Sequence, residues 1–365
     1  MPLRVDVVRY TVDGDRIIAV SAKRSLSRRD FDVQMEKMSD EEVNVWIKET
    51  FKRQHFSPWE HSVYTWTVEG CSRVCSHQLV RHRIASFTQL SMRYSKLGFD
   101  SKCRIPSDTE CIEVCPLENK CIKACREESR VHIESGGSSA TIIIEGTEAI
   151  VKEYNTSDDP VDNALLNSWL IDAADSYPVD RLDGMKVPVE NVFRRACRMI
   201  DIVVPPSLRY KPELLSSFIE ETSRLFLFYR YMIKNGVPAE DARFIVPMGV
   251  ETKLVVTMNA RELIQSFLPL RMCTKAQWEI RLVAWLLWDK LRRIHPRLFS
   301  FAGPRCLFYE NAVRPEPLPL SELLSGKPYL VLERCPENIE RESVISCVRS
   351  NLYFLKRMGY ELKPY

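Results

Sequence analysis

A short basic segment of the sequence carries residue types that bind phosphates and nucleotides. Residues 81–94 read Arg-His-Arg-Ile-Ala-Ser-Phe-Thr-Gln-Leu-Ser-Met-Arg-Tyr. If the part after the triplet is extended, one face carries Arg83, Gln89, Ser91 and Arg93, because side chains two positions apart point the same way. Guanidinium, amide and hydroxyl groups on one face suit a phosphate or a nucleotide. The alternative for such a basic run is a solvated, charged loop.

The elements beside this segment are predicted from the spacing of apolar residues. Residues 61–69 are rich in β-branched and aromatic types, which favours a strand. Residues 71–79 place a mostly apolar stripe on one face of a helix, and this helix delivers residues 81–83 at its C-terminal end. At the start of the chain, alternating residues around Asp13-Gly14 predict a β-hairpin.

Helix signals recur along the rest of the chain. Ser39 and Glu42 form a predicted capping box for a helix that ends near Gln54. Pro212 opens the strongest helical pattern, which ends at Gly236. Residues 252–258 predict a strand, after which the N-cap and N3 positions of a helix fall on Asn259 and Glu262. Thr274 and Gln277 start a further helix.

Bulk properties set the class of protein. A net charge of +3 with 28% charged residues gives no basic excess of the kind that general nucleic-acid binding requires, so we expect no nucleic-acid partner. No stretch approaches the apolar length of a membrane span, and the N-terminus lacks a signal-peptide pattern. We therefore expect no membrane partner and a cytoplasmic location.

The cysteines concentrate in a segment of different character at about residues 98–204, which is predicted to be an insertion. It contains Cys103 and two Cys-x3-Cys spacings, at 111/115 and 121/125. Two short antiparallel helices with these spacings would suit two disulfides, and reduced buried thiols are the alternative. A zinc site is the third and least favoured alternative, because zinc knuckles usually have shorter Cys-x2-Cys spacings.

The segment at 81–94 resembles the signature of flavin-dependent thymidylate synthases: Arg-His-Arg, seven further residues, Ser, any residue, then Arg-Tyr. The resemblance extends to Ser25 in SAKRS and to HFSPWEH at 55–61. It continues in GVPAEDARFIVP, TMNARELIQSFLPLR and AQWEIR in the second half. The flavin-free thymidylate synthases need a Pro-Cys-His motif, which is absent from the sequence.

The resemblance implies an α+β fold with a central antiparallel sheet flanked by long helices. The catalytic domain is expected at residues 1–300, interrupted by the insertion at about 98–204, with a C-terminal extension at 301–365. The implied reaction is methylation of dUMP to dTMP, with FAD as cofactor and with NADPH and methylenetetrahydrofolate as co-substrates. A homotetramer with sites shared between subunits is implied as well. The alternative is a non-catalytic nucleotide- or nucleic-acid-binding protein on the same fold.

Two sets of site residues follow from the matching motifs. The residues implied in FAD binding are His55, Ser57, Arg81, His82, Arg83, Gln89, Asn259, Ala260, Arg261 and Gln265. The residues implied in dUMP binding are Gln78, Arg81, Gln89, Leu90, Ser91, Met92, Arg93, Arg243 and Arg271.

Arg271 is the candidate catalytic residue. A fixed cation near the N3/O4 edge of uracil would stabilise the charge that develops as C5 attacks the methylene donor. Ser91 has no adjacent base and is assigned to substrate binding, because an unactivated serine is a poor nucleophile. The chain has one residue more than the family spacing between Asn259 and Arg271, so either Gln265 or Ser266 is the expected flavin contact.

Overall fold

The structure is a computed structural model that describes residues 3–93, 110–117, 119–174, 177–194 and 202–362. Tyr94 and Cys103 lie outside the described residues. In these ranges, no helix is both long and apolar enough to cross a membrane. The mixed α+β architecture predicted from the sequence is confirmed, with helices and antiparallel strand pairs in each of two compact units.

The strands are β1 (Arg4–Tyr10), β2 (Val63–Ser72), β3 (Ala85–Gln89), β4 (Cys111–Leu117), β5 (Lys120–Glu127), β6 (Arg130–Ser135), β7 (Ser138–Glu145), β8 (Glu148–Asn155), β9 (Lys186–Pro188) and β10 (Glu251–Asn259). The helices are α1 (Gly14–Arg24), α2 (Phe31–Lys37), α3 (Asp40–Lys52), α4 (Arg73–Leu79), α5 (Pro160–Ala173), α6 (Val189–Arg194), α7 (Pro212–Lys234), α8 (Ala239–Ala242), α9 (Ala260–Glu262), α10 (Leu268–Arg271), α11 (Trp278–Ile294), α12 (Pro296–Phe299), α13 (Arg305–Val313), α14 (Leu320–Ser325) and α15 (Arg341–Arg357). Short 3-10 turns occupy Ser57–His61 and Arg243–Ile245, and a π-helical turn occupies Leu263–Phe267.

The first unit comprises residues 2–89 and 252–365 and is built on a four-stranded sheet of order β1-β2-β10-β3. Strands β1 and β2 pair antiparallel, as do β10 and β3, with Leu254 opposite Gln89. The apolar core of this unit includes the fully buried rings of Trp59, Trp66, Trp285 and Trp288. Aromatic burial of this size is a large contribution to the stability of the unit.

The second unit comprises residues 90–251 and contains a six-stranded sheet in which β4 to β9 follow in chain order. Helix α5 is buried along nearly its whole length, and its Leu165 and Trp169 pack with Ile133 and Ile142 of the sheet. Asp159 caps α5 by accepting from the backbone N–H of Val161 at 2.8 Å. The proposed boundaries of the insertion, 98 and 204, stay a prediction.

Three sequence signals are confirmed by the helix and strand ends. Ser39 and Glu42 form both bonds of a capping box before α3. Pro212 is the first residue of α7, where its missing N–H costs no helical hydrogen bond. Asn259 caps α9 by accepting from the backbone N–H of Glu262 at 2.8 Å.

The predicted hairpin around Asp13-Gly14 is wrong, because a helix follows β1 directly. Asp13 does adopt a positive φ of 54°, as a tight turn would require, but the turn leads into α1. Gly14 is needed there for space: a Cβ atom would lie 2.2 Å from the Ser62 hydroxyl oxygen. The buried positions Ile18, Ala19 and Ala22 then follow helical spacing rather than alternation.

The two predicted cysteine helices are wrong as well, because both segments are paired strands. Cys111 lies opposite Cys125 in the antiparallel β4–β5 pair, and the two are joined by a disulfide. A second disulfide joins Cys115 and Cys121. Among the described residues, one group has the spacing of metal ligands, Glu113 with Cys115 and Cys121, but both of its sulfur atoms belong to the second disulfide.

A buried histidine ties the start of α1 to the end of α11. The backbone N–H of Gly14 donates to His295 Nε2 at 3.2 Å, and His295 Nδ1 lies 2.7 Å from the Tyr64 hydroxyl. An Nε2 atom that accepts must be unprotonated, so the ring is neutral with its proton on Nδ1. Burial lowers the pKa of His295 below its usual 6.5, against the opposing charges of Asp15 and Asp13.

We therefore expect the free energy of unfolding to fall as the pH drops below 6.5. The folded pKa of His295 is lower than the unfolded value, so this contribution is complete above the unfolded pKa and is lost as the pH falls through the folded pKa. The loss should be up to about 1.4 kcal/mol per pH unit. Urea unfolding at about pH 7.5 and about pH 5.5 measures it. The variant His295→Gln should show a smaller difference between the two pH values, and an equal difference would contradict this assignment.

Candidate active site

The centre of the site is His82, the middle residue of the basic triplet. It lies just after α4, its side chain is 3% exposed, and the Phe267 ring packs edge-on at 5.1 Å. Its Nδ1 atom is 3.2 Å from Glu262 Oε1 and 3.2 Å from Ser266 Oγ. Its Nε2 atom accepts from Arg271 Nε at 3.0 Å. His82 is therefore a neutral bridge between a buried carboxylate and a guanidinium.

The guanidinium of Arg271 is held by three neutral acceptors. Besides His82, it donates to Gln78 Oε1 at 3.2 Å and to the Gln78 carbonyl oxygen at 3.2 Å. The side chain is half-buried, and burial lowers the pKa of Arg271. In the described ranges, no carboxylate forms an ion pair with this guanidinium. The full positive charge is therefore fixed in position and available to a ligand.

A π-helical turn, Leu263–Phe267, lies between Asn259 and Arg271, where the chain is expected to have one residue more than the family spacing. This turn joins α9 to α10 without a break. A π-helical turn takes one more residue than an α-helical turn, and such turns often occur at functional sites. A turn of this kind can hold one additional residue between the cap at Asn259 and the guanidinium of Arg271.

Both candidates for the flavin contact lie on this π-helical turn. Gln265 Oε1 accepts from Arg261 Nε at 2.9 Å, and Arg261 also pairs with Glu60. Ser266 faces His82 instead. Gln265 is therefore hydrogen-bonded to Arg261, whereas Ser266, like Glu262, contacts His82.

The outer residues of the triplet differ from its centre. Arg81 and Arg83 are exposed on either side of the buried His82. Within the part of the chain that the structure describes, neither guanidinium has a hydrogen-bond acceptor or an ion-pair partner, so both are free to bind an anion. His55 and Ser57 are also exposed, at the start of the 3-10 turn Ser57–His61.

The predicted single extended face from Arg83 to Arg93 is wrong. Strand β3 covers only Ala85–Gln89, so Arg83 precedes it and Ser91 follows it. Gln89 ends the strand with its Nε2 atom donating to Ser76 Oγ at 2.8 Å and to Thr252 Oγ1 at 3.1 Å. Ser91 Oγ accepts from the backbone N–H of Arg93 at 3.1 Å, which favours a turn over continued extension.

The remaining predicted dUMP residues lie in the unit of residues 90–251. Leu90 is exposed and Met92 is half-buried against the cluster around Phe226. Arg93 Nε is 2.9 Å from Glu240 Oε2, and Arg243 Nε donates to the Glu240 carbonyl oxygen at 2.9 Å. Glu240 therefore holds two exposed guanidiniums beside each other.

Sequence reasoning did not identify three residues that position this chemistry. They are Glu262, which faces His82; Thr252, which supports Gln89; and Glu240, which organises Arg93 and Arg243. The sequence predicts Glu262 only as the N3 residue of a capped helix. Its side chain contacts His82, which lies 180 positions earlier in the chain, and no local signal encodes that contact.

Comparison with known proteins places the chain in a family. The family model described as "Thymidylate synthase complementing protein" matches residues 6–297. The flavin-dependent thymidylate synthase of Aeropyrum pernix is 39% identical over 354 residues, which cover 95% of this chain and 92% of that protein. The flavin-dependent thymidylate synthase of Sulfurisphaera tokodaii is 30% identical over 356 residues, which cover 97% of this chain and 99% of that protein.

Among solved structures, the crystal structure of a UMP/dUMP methylase, PolB from Streptomyces cacaoi bound with 5-Br dUMP, aligns with 81% of this chain and 93% of its own, at 17% identity and a TM-score of 0.48. The family model and the sequence relatives decide the class of protein. This chain belongs to the flavin-dependent thymidylate synthase family.

Proposed function

We propose that this protein catalyses the reductive methylation of dUMP to dTMP. Its family membership supports the reaction, and the relatives named above carry this activity in their names. The observation in this chain that carries the proposal is the guanidinium of Arg271, which is held beside a buried histidine and, among the described residues, bonds to neutral acceptors only. No observation favours the non-catalytic alternative.

FAD, when bound, supplies the hydride that completes the methyl group, and we propose NADPH as its reductant. The guanidiniums of Arg81 and Arg83 are exposed and have no partner among the described residues, so they fit an anionic pyrophosphate, because charge-assisted bonds to phosphate are strong. The further residues proposed to contact FAD are His55, Ser57, His82, Gln89, Asn259, Ala260, Arg261 and Gln265.

For dUMP, we propose that Arg93 and Arg243 bind the phosphate, since both guanidiniums are anchored at Glu240. The proposed contacts also include Gln78, Arg81, Gln89, Leu90, Ser91 and Met92. Arg271 is proposed to stabilise the negative charge that develops on the uracil as C5 attacks methylenetetrahydrofolate. A preorganised cation is most effective at such a charge, because no reorganisation is needed during the reaction.

We further propose a homotetramer whose sites are shared between subunits, as the family resemblance implies. In such a tetramer, the proposed dUMP residues need not meet within one chain. The proposed catalytic domain is residues 1–300, with the insertion at about 98–204 and the extension at 301–365.

The purified protein tests the proposal in two stages. Bound FAD should give the absorbance bands of an oxidised flavin, and NADPH should bleach them under anaerobic conditions. Product analysis should then detect dTMP only when dUMP, methylenetetrahydrofolate, FAD and NADPH are all present. Formation of dTMP without added or bound flavin, or no dTMP from a flavin-loaded, dUMP-binding protein, would refute the proposed reaction.

A further inference from the structure

Glu262 stands out because its carboxylate is buried and is turned away from the partner that its position predicts. Its side chain is 8% exposed. At N3 of a capped helix, a glutamate commonly returns a hydrogen bond to the backbone N–H of the N-cap residue. Glu42 does so at Ser39, but Glu262 faces Nδ1 of His82 at 3.2 Å instead.

The contacts of His82 fix which of its nitrogens carries the proton. A guanidinium only donates hydrogen bonds and stays protonated, so Arg271 Nε is the donor in its 3.0 Å contact with His82 Nε2. His82 Nε2 must therefore carry a lone pair and no proton. The single proton of the neutral ring is then on Nδ1, and this N–H donates a hydrogen bond to Glu262 Oε1. Which ring nitrogen is protonated is set by the hydrogen bond that the other nitrogen makes.

We propose that Glu262 is a positioning residue that holds His82 in the Nδ1–H tautomer and thereby orients the guanidinium of Arg271. This inference rests on the proposed function of Arg271. In the other tautomer, Nε2–H would point at the N–H of Arg271, and the bond that orients the guanidinium would be lost. The arrangement also keeps the carboxylate one ring away from Arg271, so the cation is oriented without a direct ion pair.

Ser266 is the competing partner, since its hydroxyl oxygen is also 3.2 Å from Nδ1. A hydroxyl accepts or donates equally well and therefore cannot select a tautomer, whereas an ionised carboxylate only accepts. Glu262 is thus the residue that imposes the choice. Removal of Ser266 should leave the tautomer unchanged.

The test compares Glu262→Leu, which removes the acceptor, with Glu262→Gln, which keeps an oxygen acceptor but removes the charge. Ser266→Ala tests the competing partner. Glu310→Gln is the control for loss of a buried carboxylate, since Glu310 is 1% exposed and lies in α13. Each variant is examined as the full chain for FAD content, for kcat and KM of dUMP, and for ¹⁵N shifts of its histidine side chains without ligands.

We expect Glu262→Leu to populate the Nε2–H tautomer of His82 and to lower kcat by on the order of 10–100-fold, because misplacement of a catalytic group by about 1 Å has effects of this size. The KM for dUMP and the FAD content should change much less. Glu262→Gln should fall between Glu262→Leu and the parent protein in kcat, and it serves the test by itself if Glu262→Leu does not fold. Ser266→Ala should retain the Nδ1–H tautomer.

An Nδ1–H tautomer that persists in Glu262→Leu would overturn the proposal, as would an effect of Ser266→Ala on the tautomer that exceeds that of Glu262→Leu. A kcat for Glu262→Gln below that of a folded Glu262→Leu would also overturn it. The ¹⁵N measurement needs no turnover, so it separates this proposal from the proposed reaction. If the parent protein forms no dTMP but Glu262→Leu still changes the tautomer of His82, the positioning role is supported and only the proposed reaction is refuted.

Discussion

Replacement of Arg271 by alanine should lower kcat for dTMP formation by on the order of 10²–10³-fold, with a much smaller effect on dUMP binding. The side chain is half-buried, and three hydrogen bonds to His82 and Gln78 fix its position, so its charge is preorganised. A charge that acts on the uracil mainly in the transition state affects turnover more than ground-state affinity. Steady-state kinetics together with equilibrium dUMP binding measure the two effects separately.

Two further variants make the result specific. Arg271→Lys keeps the charge but loses the fork that bonds His82 and Gln78 together, so its kcat should lie between those of the parent and Arg271→Ala. Ser91→Ala should weaken binding or turnover only moderately, because Ser91 accepts a backbone N–H and no base adjoins it in the sequence. An inactive Ser91→Ala with normal FAD and dUMP binding, beside a nearly unaffected Arg271→Ala, would require the two roles to be exchanged.

Replacement of Arg81 or Arg83 by alanine should release FAD from a folded protein. Both side chains are exposed, so neither contributes to the packing around His82. Loss of one charge-assisted contact to phosphate should weaken FAD affinity by about 1.5–3 kcal/mol, which corresponds to roughly 10–150-fold. The FAD-to-protein ratio after gel filtration and a titration of FAD with the apoprotein measure the change.

The matched control is Arg293→Ala, since Arg293 is an exposed arginine of α11 that pairs with Asp289 outside the proposed site. It should retain FAD at the parent ratio. Thermal unfolding of the apoproteins should be nearly the same for all three variants, because surface substitutions usually change stability by less than about 0.5 kcal/mol. Full FAD occupancy and unchanged affinity in both Arg81→Ala and Arg83→Ala would remove these residues from the FAD site.

The elements that the sequence predicts well are those whose signals are local. The cap residues Ser39 and Asn259 and the first-turn Pro212 are each read from neighbours within one helical turn, and all three are confirmed. The prediction of a hairpin at Asp13-Gly14 is wrong because its local signal fits two structures. A positive φ at Asp13 is compatible with either a hairpin or a helix start, and the burial of α1 decided between them.

The cysteine segments carry a local signal for strands, the alternation of exposed and half-buried residues. In β4 the exposed Cys111, Glu113 and Cys115 alternate with the half-buried Ile112 and Val114. This period of two is typical of a strand, and a Cys-x3-Cys spacing places both sulfurs on the same face of a strand. The Cys-x3-Cys spacing alone does not distinguish a strand from a helix, because residues four apart share a face in both.

The arrangement at His82 could not be read from the sequence, because its partners are distant along the chain. The resemblance places the whole triplet at FAD, yet only the outer two side chains are exposed. Glu262 and Arg271 follow His82 by 180 and 189 positions. Contacts at such separations depend on the pairing of β10 with β3 and on the π-helical turn, and neither is encoded by a short motif.

We expect this protein to replace the C5 hydrogen of dUMP by a methyl group in a flavin-dependent reaction. The most direct measurement is the release of tritium from [5-³H]dUMP by the FAD-loaded protein with methylenetetrahydrofolate and NADPH. We predict tritium release in step with dTMP formation, abolished when FAD is removed and strongly reduced in Arg271→Ala. A folded, FAD-loaded protein that binds dUMP but releases no tritium would contradict flavin-dependent methylation of dUMP. Tritium release that is unaffected by removal of the flavin would contradict it as well.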